Sequence, residues 1–247
     1  MTLLEAAAVV LAGLAAGTVN TVVGSGSLIT FPTLLAVGLP PVAANVSNTV
    51  GLVPGSVTGA LGYRAELAGQ RTRLLRLGSA TVLGALTGAA LLLVLPAAVF
   101  GAVVPVLVVL ACVLVAVQPW LVRRLGDRPR RHHGGPVAWV LVLATGVYGG
   151  YFGAAQGIML IAVLGLTLDE GIQRVNAAKN VLAGLANLAA GLVFLLVAPV
   201  DWAAAALVAL GAAAGGVLGA RVGRRLPPLV LRVVVVLVGL AALVALR

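Results

Sequence analysis

Asn20-Thr21-Val22-Val23-Gly24-Ser25-Gly26-Ser27 joins an apolar run at 3–23 to a second at 27–38, and the fold turns on how this junction is read. Glycine accepts backbone conformations closed to other residues, so Gly24 and Gly26 permit a tight reversal with exposed amides. Ser27 is placed to cap a helix that starts there. The run 27–38 has 12 residues, roughly 18 Å of helix and about half of a bilayer crossing. A matching junction, Gly153-Ala154-Ala155-Gln156-Gly157, lies between apolar runs at 137–154 and 157–168, the latter again of half length. Each junction is either the tip of a hairpin that enters the membrane and returns, or a break within one continued helix.

The other apolar segments fall at 45–63, 77–95, 99–122, 175–198, 203–220 and 229–246. Hydrophobic residues make up 62% of the 247 and charged residues 9%, with mean hydropathy +1.18. A soluble domain carries about a quarter charged residues, so this chain is an integral membrane protein. Its long continuous runs select helices over a barrel. The net charge of +10 does not indicate nucleic acid, because the arginines occupy short loops as the positive-inside rule requires. Cys112 stands alone, and His132 and His133 have no ligand cluster, so neither a disulfide nor a metal is expected. No cofactor is implied, and Glu5 in place of a basic leader argues against a cleaved signal peptide.

The chain repeats itself. An offset of 131 aligns Gly26 with Gly157, Asn45 with Asn176 and Pro96 with Pro227, and sets Asn48 opposite Lys179. Residues 1–122 form the first repeat, 123–135 a basic linker and 136–247 the second. Arg64, Arg71, Arg73 and Arg76, the linker arginines, and Arg221, Arg224 and Arg225 mark cytoplasmic loops. The loop at 64–76 then corresponds to the 195–207 loop, which lacks Lys and Arg and is expected outside. The expected fold is all-α integral membrane: two inverted repeats, each a re-entrant or broken-helix hairpin plus three transmembrane helices. The location is the inner (cytoplasmic) membrane, with multiple passes.

A helix starting at either tip would aim unpaired amides and a positive dipole end at the midplane, where an anion binds without a dedicated charge. Gly24, Gly26, Ser27, Gln156 and Gly157 are the candidate donors, with Ser25 beside them. Polar residues begin the following segments: Asn45, Asn48 and Thr49 in one repeat, Asn176, Lys179 and Asn180 in the other. Spacings of three and four put them on one helical face, where amides either bind substrate oxygens or join helices. Lys179 is the sole lysine, and a charge within a span usually faces a polar cavity. No carboxylate lies inside a predicted span, which disfavours a proton relay. There is no phosphate loop, and no serine–histidine pair for hydrolysis.

The sequence Asn20-Thr21, Gly24-Ser25-Gly26-Ser27-Leu28-Ile29-Thr30-Phe31-Pro32, Gly38-Leu39-Pro40-Pro41, Ala44-Asn45, Asn48-Thr49, Pro54-Gly55 and Gly62-Tyr63-Arg64 resembles the first-repeat signature of the sulfite exporter TauE/SafE family. Gly157 and Asn176-Ala177-Ala178-Lys179-Asn180 resemble the second. The resemblance implies transport of sulfite or organosulfonates and adds Asn20 to the expected substrate-binding set. Family members often carry Gly where Ser25 stands. A carrier is expected, with a passive channel, a membrane enzyme and a structural subunit as alternatives. Expected partners are a small anion and the lipid bilayer, with no nucleic acid; a homo-oligomer is left open.

Overall fold

The computed structural model describes residues 1–124 and 135–222. Among these the chain is helical throughout: α1 (Leu3–Val22), α2 (Ser27–Ala36), α3 (Pro41–Gly62), α4 (Arg71–Val94), α5 (Ala97–Arg124), α6 (Gly135–Tyr151), α7 (Gln156–Thr167), α8 (Ile172–Val197) and α9 (Trp202–Val222). The predicted segment 229–246 and most of the linker lie outside the described residues. Arg123 and Arg124 end α5, and Gly135 starts α6. Subtracting 131 from Thr167, Ile172 and Trp202 gives 36, 41 and 71, the end of α2 and the starts of α3 and α4.

Among the described residues, five helices (α1, α4, α5, α8 and α9) are long and apolar enough to cross a membrane. Helix α3, expected as a crossing, has the length at 22 residues but is not among those five. Its Asn45, Ser47, Asn48 and Thr49 are buried. Packing against neighbouring helices keeps that polarity inside protein, as a membrane interior demands. The half-length elements α2 and α7 have 10 and 12 residues, close to the expected lengths.

Small residues set the packing. Helix α1 lies against α9, with Gly13 and Gly17 meeting the backbone of Val208, Gly211 and Ala212. Helix α4 lies against α6 in the equivalent pair, with Gly84 and Gly88 meeting Leu143, Val147 and Tyr151. A Cβ at Gly13 would stand 2.8 Å from Val208 O, so four-residue glycine spacing lets the backbones approach as side chains would not. Hydroxyls fasten α9 to its neighbours: Thr18 Oγ1 of α1 donates to Gly215 O (3.1 Å) and Thr58 Oγ1 of α3 to Ala213 O (2.9 Å). Each half therefore packs its first helix on a helix of the other half.

One end of the bundle carries a polar cluster. Arg73, only 4% exposed, pairs with Glu170 at 2.9 Å and donates to Gln70 Oε1 at 2.9 Å. Arg174 pairs with Glu170 at 2.5 Å and donates to Ala68 O at 3.0 Å. Gln70 Nε2 in turn reaches Arg174 O at 3.1 Å. Burial pushes the Glu170 carboxyl up, but the hydrogen bonds from Arg174 and Arg73, with their charges, outweigh it and hold the group below its ordinary value. The α3–α4 and α7–α8 connections thus meet at one end.

Candidate functional site

Helix α1 is closed off just past its end by Gly24, whose φ of +93° only glycine adopts freely, and whose amide bonds Val19 O at 3.0 Å. The chain then turns back, for a Cβ on Gly26 would stand 2.9 Å from Asn20 Cβ and press on Ala16 O. Helix α6 ends in the same way, with Gly153 at φ +76° bonding Tyr148 O at 3.0 Å. The buried Tyr148 hydroxyl steadies that second tip through Ala154 O at 2.6 Å.

The two tips touch. Gly157 N donates to Gly24 O at 3.0 Å, and a Cβ on Gly24 would lie 2.5 Å from Gly157 Cα. The Gly157 amide, expected to face an anion, is therefore spent on the other tip. Ser27 is likewise not the cap: Gly26 holds that position, and Ser27 Oγ instead accepts from Asn48 Nδ2 at 3.1 Å. Thr30 of α2 bonds the same Asn48 through its hydroxyl. Thr49 donates to Asn45 O at 2.9 Å within its own helix.

Donors remain. Among the described residues, the amides of Ser25, Gly26 and Ser27 make no hydrogen bond, nor do those of Ala154 and Ala155. Buried side-chain atoms at the same junctions are also without partners: Ser25 Oγ, Gln156 Nε2, Asn45 Oδ1 and Asn176 Oδ1. Ser25 is 1% exposed and Gln156 3%. Buried polar atoms are normally paired, so unpartnered ones gathered at the two helix starts are a departure from the rule.

The polar residues of α3 and α8 reach across to the opposite half. Asn45 Nδ2 donates to Tyr151 O at 3.0 Å, at the end of α6. Asn176 Nδ2 and Asn180 Nδ2 each donate to Thr21 O at 3.2 Å, at the end of α1. Lys179, 1% exposed, donates from Nζ to Asn20 O at 2.7 Å and Thr21 O at 3.2 Å. Its stem runs beside the tips, with Cδ 2.9 Å from the place of a Cβ on Gly157. Asn20 thus enters through its carbonyl.

Composition gave no notice of the aromatic wall. Phe31, Phe100, Phe152 and Tyr151 stack edge to face at 5.2–6.1 Å beside the second tip. The one available signal was scarcity: the whole chain has four Phe and three Tyr. A cavity of about 270 Å³ between α3 and α8 runs from Arg64 to Asn180, but its walls are Val53, Val57, Leu61 and Leu188, unsuited to an anion. A second, of about 500 Å³, lies between Arg64 and Arg221. The unpartnered polar groups lie at the tips instead.

Buried polar helix breaks inside an apolar bundle define a polytopic membrane transporter. The family model for sulfite exporter TauE/SafE matches residues 9–246, and the chain belongs to that family. It is 28% identical over 212 residues to the probable membrane transporter protein YfcA of Escherichia coli K12, covering 85% of this chain and 76% of that one. It is 25% identical over 228 residues to the probable membrane transporter protein ORF9 of Sinorhizobium, covering 92% and 86%. A probable membrane transporter protein of Haemophilus influenzae is 25% identical over 211 residues, covering 85% and 81%. No solved structure gives a significant match.

Proposed function

We propose that the protein carries small oxyanions, sulfite or organosulfonates, across the cytoplasmic membrane, binding them where the two tips meet. The observation that carries this reading is the orphaned donor set: free amides at Ser25–Ser27 with Ser25 Oγ at the first tip, and Gln156 Nε2 at the second. An oxyanion offers acceptors in several directions and matches donors of this kind. The positive dipole ends of α2 and α7 add to the attraction. Lys179 runs its stem past Gly157 and brings an ammonium to Asn20 O and Thr21 O, at the foot of the first tip. Asn45, Asn48, Asn176 and Asn180 hold the helix breaks in register, and Asn45 Oδ1 and Asn176 Oδ1 are left to accept from a protonated or amino-bearing substrate.

Inverted repeats with re-entrant hairpins fit this reading. If α2 and α7 continued α1 and α6 across the membrane, the α3–α4 and α7–α8 connections would lie on opposite sides. The Arg73–Glu170 pair joins those connections. Arg64 and Arg221 line one cavity, as two cytoplasmic ends would.

Purified protein in liposomes tests the function. Saturable flux of sulfite or a sulfonate, with counterflow and no competition from neutral solutes, is the expected result. Failure to move any of sulfite, sulfate, thiosulfate, sulfoacetate or taurine would remove the proposal.

A further inference from the structure

Helix α1 ends inside the protein, and the C-terminus of a helix carries the equivalent of about half a negative charge on its unpaired carbonyls. Three side chains of α8 converge on it: Asn176 and Asn180 on Thr21 O, and Lys179 on both Asn20 O and Thr21 O. At the corresponding end of α6, Asn45 is the one side-chain donor to Tyr151 O among the described residues. Asn48, which stands at the position of Lys179 when 131 is subtracted, turns to Ser27 and Thr30 of its own half. A cation therefore serves one helix break and not its counterpart.

Broken helices in transporters present C-terminal carbonyls of this kind to a coupling cation. Resting on the oxyanion reading above, we propose that Lys179 is a built-in counter-cation: its ammonium sits on the α1 carbonyls where a free alkali cation would otherwise bind, so anion translocation needs no such ion. Three features support the assignment. The ammonium has two carbonyl partners at the end of one dipole, and a third hydrogen left for an anion. Its stem passes against Gly157 of the second tip while its ammonium sits on the end of α1, so the side chain bridges the two tips. Its 1% exposure shuts bulk cations out of the same position.

The test uses the full chain in liposomes as wild type, Lys179→Ala and Lys179→Arg. Sulfite flux is measured with sodium, with N-methylglucamine as the sole external cation, and with ethylammonium added. Wild type should run equally in sodium and N-methylglucamine. Lys179→Ala should lose about tenfold in N-methylglucamine, the size of one charge-assisted contact. Part of that loss should return with ethylammonium or sodium and none with ethanol. Lys179→Arg should keep part of the flux, because its larger planar fork carries the same charge. Sodium dependence in wild type overturns the inference by itself, even if Lys179→Ala fails to fold. Folded Lys179→Ala with full flux, or with a loss that no small cation repairs, also overturns it. A wild type that moves no oxyanion at all refutes the transport reading instead.

Discussion

Arg73 and Glu170 are 97 residues apart in the chain and form an ion pair of 2.9 Å. One belongs to the first turn of α4, the other to the turn before α8. Their meeting ties the α7–α8 connection of the second half to the start of α4 in the first. Buried pairs of this kind add little net stability over an apolar pair, but removing one partner is costly.

The proposed inverted topology rests on that pair. With Cys112 replaced by Ala, single cysteines at Ala97 and Val200 are expected to react with a membrane-impermeant maleimide added outside. Cysteines at Arg64 and Arg221 should react only after permeabilisation. Labelling of Arg221→Cys from outside would restore parallel repeats and discard the inverted arrangement.

Acid should loosen the same contact. The Glu170 carboxyl titrates below its ordinary value of 4.5 in the folded chain. Its ion pairs therefore stabilise fully above that value, and the contribution disappears as pH falls through the lower folded pKa. Glu170→Gln is expected to lower stability at neutral pH by on the order of 3 kcal/mol, since it leaves the Arg73 charge buried. Thermal melting in detergent from pH 7 downward checks this, and the acid limb of the variant should be shallower. An unchanged melting temperature at pH 7 would show that the pair is dispensable.

Much of this architecture was readable beforehand, and for physical reasons. Apolar runs report membrane helices directly, and the offset of 131 matches the starts of α3 with α8 and α4 with α9. The half-length runs gave α2 and α7 because a 12-residue helix is too short to cross. What a sequence does not reveal is which groups satisfy one another across the fold. Ser27 had every mark of a cap, yet Asn48 takes its hydroxyl. Asn45 and Asn176 had the spacing of ligands, and half of each amide is spent on a helix end in the other repeat. Arg73 looked like a solvated loop charge and is buried on Glu170. Pairings at such separations leave no periodic trace.

Contact between the tips can be tested with two glycines, one needed for its backbone conformation and the other for its lack of a side chain. Gly38 has φ +91° and open space around it, so Gly38→Ala meets only the backbone penalty, about 1–2 kcal/mol. Gly157 has no such penalty, but a Cβ there would stand 2.9 Å from Gly24 O and from Lys179 Cδ. Gly157→Ala should cut sulfite flux by an order of magnitude or more, and Gly38→Ala should leave it near normal, at matched membrane levels. Equal activity in both would mean that the tips need not touch for transport.

Ser25 gives the most direct measurement of the central claim, that the orphaned donors at the tips bind the anion. Its hydroxyl is buried and has no partner, so Ser25→Ala removes nothing that holds the fold together. Deleting an unsatisfied buried group is neutral or stabilising, whereas a hydrogen bond to an anion is worth about 1.5–3 kcal/mol. The KM for sulfite in liposomes should therefore rise about tenfold or more, with the melting temperature unchanged or slightly raised. An unaltered KM in a variant of unaltered stability would show that the anion binds elsewhere.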